Sequence, residues 1–465
     1  MFDILIKNGK IVTPLSTFEG DIGVRDEKIA AVGASLGEAV RIIDAAGKYV
    51  LPGLVDPHMH IAAPFGGNID VLDFYSAGRA AAFGGVTTIM DFCNTTPGQS
   101  VLESLHKRRE EMFKGSLDFG IHAKFVEAND RLLSEIRDIV DFGSPSFKMF
   151  MTYRRAGVMI DDAGLLKVLA EAARQGGMCG FHAESNPIAE YNEDRLLAEG
   201  KRDWKYFPLC KPNVCEYEAV SRVLHYAAFL DAPVYFFHLS TAEAVEMVRR
   251  ARKQGVKVQA ETCTHYLTLT GAKNEGPDGI LYLMSPPLRG ESDREALWRA
   301  LAEGVLSLVS SDNCSFTREL KEIGLDRDGN GNVVPDFTRV VNGVCGLEER
   351  LGLLLAAGVQ KGRISLNKLV EIASANPARI FGCYPQKGAL DPGSDADIVI
   401  LDPEKQMWLS AENLHYGLDY SIYDDFTSPM WPVMTIRRGE ILVENGRFLG
   451  RENTGRFLKR KLGKH

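Results

Sequence analysis

The chain lacks the features of a membrane protein or a nucleic-acid-binding protein. No stretch of its 465 residues is apolar for long enough to cross a bilayer, and the acidic Asp3 stands where a secretory signal would carry basic residues. The formal net charge is -8, whereas proteins that bind phosphate backbones depend on clustered Lys and Arg. We therefore expect a cytoplasmic protein with neither nucleic acid nor membrane among its partners.

Paired cysteines are also missing. The eight cysteines are scattered and no Cys-x-x-Cys pair occurs, so the sequence offers neither a thiolate zinc site nor a disulfide framework. We expect them to be mostly reduced packing residues. A composition of 45% hydrophobic and 25% charged residues is that of a folded globular protein, and the length allows two or three domains.

Both ends of the chain alternate apolar and polar residues as β-strands do. Residues 3–6 and 10–12 flank Asn8-Gly9, which predicts a hairpin turn, and comparable strands return at 396–401, 435–437 and 441–443. We predict one small β-sandwich domain built from residues 1–50 and 386–465. The middle of the chain would be inserted into it.

In the middle of the chain, short apolar strands alternate with amphipathic helices, which is typical of βα units and a parallel sheet. The helices are predicted at 163–174, 216–230 and 241–253, among others. The first strand ends at His60, and the other seven are predicted at 86–92, 120–125, 146–151, 178–182, 234–238, 256–261 and 306–312. Eight strands close a (β/α)₈ barrel, so residues 51–385 are predicted to form an α/β barrel domain.

Residues of metal-ligand type recur at the carboxyl ends of these strands. His58 and His60 are separated by one residue, so on an extended segment both imidazoles face one side and can reach one ion. Strands five, six and eight end at His182, His238 and Asp312. Each alone is explained as a capping or packing residue. Together they would converge on one mouth of the barrel, and the sequence therefore predicts a metal site there.

These residues resemble those of the dihydropyrimidinase and hydantoinase family of cyclic amidohydrolases. The resemblance covers essentially the whole chain, from the run at 53–60 to the return to the β domain at 387–397. It also includes segments 64–67, 84–92 and 147–153, Ser285-Pro-Pro and Asn342-Gly343. The resemblance implies a metal-dependent enzyme that opens a hydantoin or dihydropyrimidine ring to an N-carbamoyl amino acid, using a hydroxide that bridges two metal ions.

The resemblance also implies how the metals are held. Lys148 on strand four would be carboxylated and bridge the two ions, because an ammonium has no lone pair for a metal, whereas a carbamate supplies two oxygens. The alternative interpretation is that Lys148 is a surface or ion-paired lysine. The apolar strand around Lys148 disfavours it. The implied cofactors are two divalent ions, zinc, one held by His58, His60 and Asp312 and the other by His182 and His238.

Further roles follow from the same resemblance. Asp312 would carry a proton from water to the departing ring nitrogen, and Tyr153 would donate a hydrogen bond to the developing oxyanion. Ser285 and Asn342 match positions whose backbone groups pair with the amide edges of the ring. The implied partners are a small cyclic amide and further copies of the chain, in a homotetramer or homodimer.

Two local features bear on this comparison. The residue after Asp312 is often histidine in the family, but here it is Asn313. This difference either tunes the pKa values of the site or has no effect. The basic tail at 456–464 is expected to be a solvated end, although in this family such tails can lie on a neighbouring subunit.

Three alternative functions stay open: an allantoinase, a dihydroorotase and a non-enzymatic scaffold of the same superfamily. The presence of all six metal positions argues against a scaffold. Dihydroorotases typically place Arg two residues after the second histidine to hold the substrate carboxylate, and here that residue is Ala62. Arg154 or Arg155 could instead turn inward and hold an acidic substituent of the substrate. We expect both side chains to be solvated.

Overall fold

The computed structural model describes residues 1–65 and 67–463; Gly66, Lys464 and His465 lie outside it. None of the helices in these ranges is both long and apolar enough to cross a membrane. The strands are β1 (Phe2–Val12), β2 (Thr17–Arg25), β3 (Lys28–Gly33), β4 (Ala39–Asp44), β5 (Tyr49–Pro52), β6 (Leu54–Asp56), β7 (Pro64–Phe65), β8 (Asn68–Ile69), β9 (Val86–Phe92), β10 (Asp118–Lys124), β11 (Ser146–Phe150), β12 (Met178–His182), β13 (Val234–Phe236), β14 (Val258–Cys263), β15 (Leu308–Ser310), β16 (Ile398–Asp402), β17 (Met407–Trp408), β18 (Thr427–Ser428), β19 (Trp431–Arg437), β20 (Glu440–Glu444) and β21 (Arg447–Phe448).

The helices lie mainly between the strands of the middle of the chain, and those predicted from the sequence are found within three residues of their expected starts. They are α1 (Phe74–Phe83), α2 (Val101–Met112), α3 (Asp130–Phe142), α4 (Asp162–Arg174), α5 (Asn186–Ala198), α6 (Phe207–Cys210), α7 (Asn213–Leu230), α8 (Ala242–Lys253), α9 (Thr264–Thr268), α10 (Glu291–Ala302), α11 (Arg318–Glu322), α12 (Arg350–Leu353), α13 (Leu366–Val370) and α14 (Asn376–Ile380).

The two chain ends meet in one mixed sheet. Its strand order is β21-β20-β19-β16-β5-β1-β2-β3, with β4 beside β1. Strands β4 and β5 run parallel to β1, and β5 pairs with β16 from the far end of the chain, Val50 opposite Ile400. The expectation of a small β domain built from both ends is thereby confirmed.

The hairpin predicted at Asn8-Gly9 is wrong. Strand β1 runs straight through both residues, and the register to β2 shifts there, so the pair forms a β-bulge. Asn8 has a φ of 61°. A side chain at Gly9 would lie 2.5 Å from Cγ2 of Val50, so glycine is needed for close packing against β5.

The parallel strands of the middle of the chain form a closed barrel. The eight strands are paired in chain order from β6 through β9 and β10 to β15. Beyond the strand ends, the amide of His60 donates to the carbonyl of Asn313 at 2.7 Å and that of Asp312 to His58 at 2.9 Å, which joins the first strand to the last. The (β/α)₈ prediction is confirmed.

The run that ends at His60 belongs to two sheets. Strand β5 lies in the mixed sheet and β6 in the barrel, with Gly53 between them. A Cβ atom on Gly53 would lie 2.2 Å from Oγ1 of Thr87, so only glycine fits where the chain passes from one sheet to the other. This crossing aims His58 and His60 at the carboxyl end of the barrel.

A buried lysine links the two sheets. Lys387 Nζ lies 2.5 Å from Asp118 at the start of β10, 2.9 Å from Asp395 and 3.0 Å from Asp397. All four side chains are nearly or fully inaccessible to solvent. The cation therefore balances carboxylates from both parts of the chain.

The basic tail is not a solvated end where the structure describes it. The amide of Phe119 donates to the carbonyl of Arg456 at 2.9 Å, and that of Leu458 donates back to Phe119 at 2.8 Å. The side chain of Arg460 is buried, and its guanidinium donates to the carbonyl of Ile121. Up to Leu462 the backbone of the tail packs on its own barrel, near the amino end of β10, while the side chains of Arg456, Lys459 and Lys461 are exposed.

Candidate active site

The first group of predicted ligands converges at the carboxyl end of the barrel. His58 and His60 follow β6, and Asp312 follows β15. The Nε2 atoms of the two histidines lie 3.0 and 3.3 Å from the same oxygen, Oδ1 of Asp312. Imidazole nitrogens and a carboxylate oxygen aimed at one point fit the donor set of a zinc-like divalent ion.

The second pair of histidines lies against the first group. His182 ends β12 and His238 follows β13. Their ring centroids are 4.4 Å apart, and the His238 ring is 5.4 Å from the His58 ring. The structure thus brings all four predicted histidines and Asp312 into one cluster.

Lys148 lies on β11 in an aromatic cage beside this cluster. Its Nζ atom is 3.8 Å from the ring centroid of Phe237 and 5.1 Å from those of Phe92 and Phe150. Burial lowers the pKa of Lys148 to about 8, although Asp312 and Glu261 oppose this shift. About a tenth of such an amine is unprotonated at pH 7, and the unprotonated form is the one that reacts with carbon dioxide to give a carbamate.

Carboxylates hold the other ring nitrogen of two of these histidines. Nδ1 of His58 donates to Oε1 of Glu261, and Nε2 of His182 donates to Oε2 of Glu184 at 2.6 Å. Both glutamates are fully buried. Histidines that bind metals commonly donate their second N–H to a carboxylate in this way, which fixes the tautomer and the ring orientation.

The charges around the cluster favour a cation. Burial alone would raise the pKa of Asp312, but His58 and His60 outweigh it and hold the pKa well below its usual range. For His58, burial lowers the pKa while Asp312 and Glu261 raise it, to about 9. Burial lowers the pKa of His182 to about 4, so its imidazole is neutral and free to act as a ligand.

Three of the predicted site residues have strained backbones. Tyr153, His238 and Asp312 have φ values of 69°, 41° and 48°, in the left-handed region that non-glycine residues rarely adopt. Such conformations persist where the surroundings fix them, and they concentrate at functional sites. The strain here coincides with the cluster at the barrel mouth.

The predicted substrate-contact residues lie beside His182. The Tyr153 ring is 5.3 Å from the His182 ring, and Oγ of Ser285 donates to Oε2 of Glu184 at 3.1 Å. Asn342 is connected through its neighbour, because the amide of Gly343 donates to the carbonyl of Leu283, two residues before Ser285, at 3.0 Å. The three segments therefore lie around one side of the mouth.

Two further residues of the mouth are now placed. Cys263, at the end of β14, has its Sγ within 4.8 Å of ligand atoms of both His58 and Asp312. Asn313 is fully buried, accepts a hydrogen bond from the amide of Gly346 at 3.2 Å and donates to Ser315 at 3.1 Å. Asn313 thus holds together the loops that follow β15.

The sequence did not single out Glu184, Lys211, Glu261 or Cys263. Two of these residues could have been found from the sequence. Glu184 is an acid two residues after the predicted ligand His182, and Glu261 is an acid at the end of the predicted strand that follows the one ending at His238. Lys211 carried no signal of its own. Its ammonium lies 2.6 Å from Oε2 of Glu184, a contact that only the fold creates.

Comparison with known proteins agrees with this geometry. Residues 49–442 match the profile of the amidohydrolase family. The chain belongs to that family. This amidohydrolase is 41% identical over 462 residues to a D-hydantoinase of Ralstonia pickettii, with 99% of each chain covered, and 38% identical to a D-hydantoinase of Geobacillus stearothermophilus, with 98% of this chain and 96% of the relative covered.

Solved structures give the same result. The amidohydrolase matches the crystal structure of dihydropyrimidinase from Brevibacillus agri NCHU1002 with a TM-score of 0.95 and 37% identity, over 99% of both chains. It matches an L-hydantoinase (dihydropyrimidinase) from Arthrobacter aurescens with a TM-score of 0.89 and 32% identity, over 99% of this chain and 100% of the other. Proteins named for opposite enantiomers share this fold.

Proposed function

We propose that this amidohydrolase hydrolyses a cyclic amide, opening a hydantoin or dihydropyrimidine ring to an N-carbamoyl amino acid. The observation that carries the proposal is the convergence of His58, His60 and Asp312 on one point at the barrel mouth. It occurs in a chain similar along its whole length to proteins named hydantoinase and dihydropyrimidinase.

We propose two divalent ions, zinc, as cofactors. His58, His60 and Asp312 would hold one, His182 and His238 the other, and carboxylated Lys148 would bridge them. The burial of Lys148 supports this modification, because it lowers the pKa to about 8 and so raises the share of the neutral amine. Divalent ions bound in such a site supply a water that ionises near neutral pH and polarise the carbonyl of the ring.

The residues of the chain would carry the remaining steps. Asp312 accepts the proton of the attacking water and passes it to the departing ring nitrogen. The Tyr153 hydroxyl donates a hydrogen bond to the carbonyl oxygen as it gains negative charge. The backbone groups of Ser285 and Asn342 pair with the amide edges of the ring, which fixes its orientation.

The charges near the mouth support a neutral ring as the substrate. Arg154 pairs with Glu190, and Arg155 pairs with Glu193 and, at 2.8 Å, with Asp194. Both arginines are largely exposed and are held by acids of α5. Neither is left to hold a substrate carboxylate, and Ala62 offers no cation.

The experiment is a comparison of kcat/KM for dihydrouracil, 5-substituted hydantoins, allantoin and dihydroorotate under identical metal loading. We expect the neutral hydantoins or dihydrouracil to be preferred. A clear preference for allantoin or dihydroorotate would overturn the proposed substrate class. A fully metal-loaded protein inactive on all four would favour the scaffold alternative.

Assembly, location and domain bounds are further proposals. The likeness to the hydantoinase family supports a homotetramer or homodimer, which sedimentation equilibrium would test. We also propose a cytoplasmic enzyme, because all eight cysteines are free and buried. The pairing of β5 with β16 supports a division into residues 1–50 with 386–465, and 51–385.

A further inference from the structure

A buried ion pair adjoins the candidate active site. Lys211, in the turn between α6 and α7, is 7% exposed, and its Nζ atom lies 2.6 Å from Oε2 of Glu184. Glu184 is fully buried and accepts from Nε2 of His182 through the same oxygen, at 2.6 Å. The Lys211–Glu184 ion pair is therefore in direct contact with His182, a proposed metal ligand.

The same ammonium contacts the proposed substrate-binding side of the mouth. Lys211 Nζ donates to Oγ of Ser285 and lies 4.5 Å from the ring centroid of Tyr153. An ammonium has three N–H donors. Two of them meet the oxygens of Glu184 and Ser285, and the ammonium also lies against the Tyr153 ring.

We propose that Lys211 is a positioning residue for ring opening, which orients the Tyr153 hydroxyl towards the substrate carbonyl and strengthens it as a donor. This inference rests on the proposed function. The ammonium packed against the Tyr153 ring holds the phenol in place. Its positive charge also makes the hydroxyl a stronger donor to the negative charge that develops on the substrate oxygen in the transition state.

The pair is poorly suited to holding an acidic substrate. Glu184 already balances the charge of Lys211 at contact distance, and both groups are shielded from water. A substrate carboxylate would therefore meet an ammonium that is already neutralised. The placement of Lys211 favours a role through Tyr153 over a role as an anion site.

The test is a double-mutant cycle between Lys211 and Tyr153 in the metal-loaded enzyme. Lys211→Met keeps an unbranched side chain but has neither charge nor donors, Lys211→Arg keeps the charge, and Tyr153→Phe removes the hydroxyl. We expect Lys211→Met to lower kcat on a 5-substituted hydantoin by about 10- to 100-fold with KM and metal content near the parent values. Lys211→Arg should restore part of the loss.

The double variant decides between positioning and general support of the fold. If Lys211 acts through Tyr153, Lys211→Met should slow the Tyr153→Phe enzyme by less than about 3-fold. Full multiplication of the two effects would overturn the inference, as would an unchanged kcat in Lys211→Met. A loss confined to KM for dihydroorotate would also overturn it, because Lys211 would then be an anion site.

Folding and the proposed function are monitored separately. Circular dichroism and metal content show whether Lys211→Met is folded. If it is not, Lys211→Gln replaces it, and the same loss of kcat is expected. An inactive, metal-loaded parent would overturn both the proposed function and this inference. An active parent with an equally fast Lys211→Met variant would overturn this inference alone.

Discussion

Replacing Glu261 with Gln should weaken metal binding without unfolding the protein. Glu261 is fully buried at β14 and accepts from Nδ1 of His58, from the amide of His238 at 3.2 Å and from the hydroxyl of Tyr235 at 2.6 Å. Glutamine keeps the shape and one acceptor oxygen. What it removes is the negative charge that orients the His58 imidazole and makes it a better ligand.

The size of the effect follows from the contact with His58. Losing such a partner commonly lowers metal affinity by about 10- to 100-fold, or about 1.4 to 2.8 kcal/mol. We expect the loss to fall mainly on the ion at His58, His60 and Asp312. Glu261 touches His238, a proposed ligand of the other ion, only through its backbone amide.

The assay is competition for zinc between the protein and a chromogenic chelator. Tyr235→Phe is the matched control, because it removes a neighbouring donor to Glu261 and leaves the carboxylate against His58. Its affinity should stay within about 3-fold of the parent, well below the 10- to 100-fold expected for Glu261→Gln. A folded Glu261→Gln variant that binds both zinc ions as tightly as the parent would refute the reasoning.

Further predictions concern three other residues. Lys148→Ala should lose metal and activity, with partial rescue by short carboxylic acids; normal activity without them would contradict the bridging role. Tyr153→Phe should lower kcat by about 10² at unchanged metal content, the usual scale for one oxyanion donor, and a variant as fast as the parent would make Tyr153 a bystander. Lys387→Met should lower the free energy of unfolding by about 3–5 kcal/mol in urea titrations, because it leaves buried carboxylates unpaired.

The Lys387 prediction has a pH dependence. The pKa of Asp118 is lowered: burial raises it, but Lys387 and Arg438 outweigh burial. The pKa of Lys387 is raised, since Asp397 and Asp118 outweigh burial. In the parent, the contribution of Asp118 to the free energy of unfolding is complete above its unfolded pKa and is lost as pH falls through the lowered folded value. The contribution of Lys387 is lost only as pH rises through its raised folded value. In Lys387→Met the carboxylates stay buried without their cation, and burial already raises the pKa of Asp397 in the parent. Their protonation should stabilise the variant as pH falls, so the difference between parent and variant should shrink from about pH 7 towards pH 5. A difference that grows as pH falls would contradict the pairing.

The barrel was predictable because each of its strands is a short apolar run with its own flanking turn signals. The ends carrying His58, His182, His238 and Asp312 followed from strand order alone, since the carboxyl ends of parallel strands share one face. The Asn8-Gly9 bulge was misread for a local reason. A hairpin and a bulge both need residues with positive φ, and only the packing of Val50 against Gly9 distinguishes them.

The contacts around the predicted ligands were not predictable from one sequence. Glu261 meets His58 across 203 residues, and Lys211 meets Ser285 across 74. No local pattern relates residues so far apart. Likewise, the aromatic cage of Lys148 contains Phe92, the last residue of β9, and Phe237, which directly follows β13. Only the closure of the barrel brings these residues together.

The central claim is that this barrel mouth is a hydrolytic centre with two metal ions. The most direct test is elemental analysis of protein purified without chelator, with ring opening of a 5-substituted hydantoin measured on the same sample. The account predicts close to two equivalents of divalent metal, zinc, and loss of activity when a chelator removes them. Metal content near zero in a sample that opens the ring at full rate would contradict it.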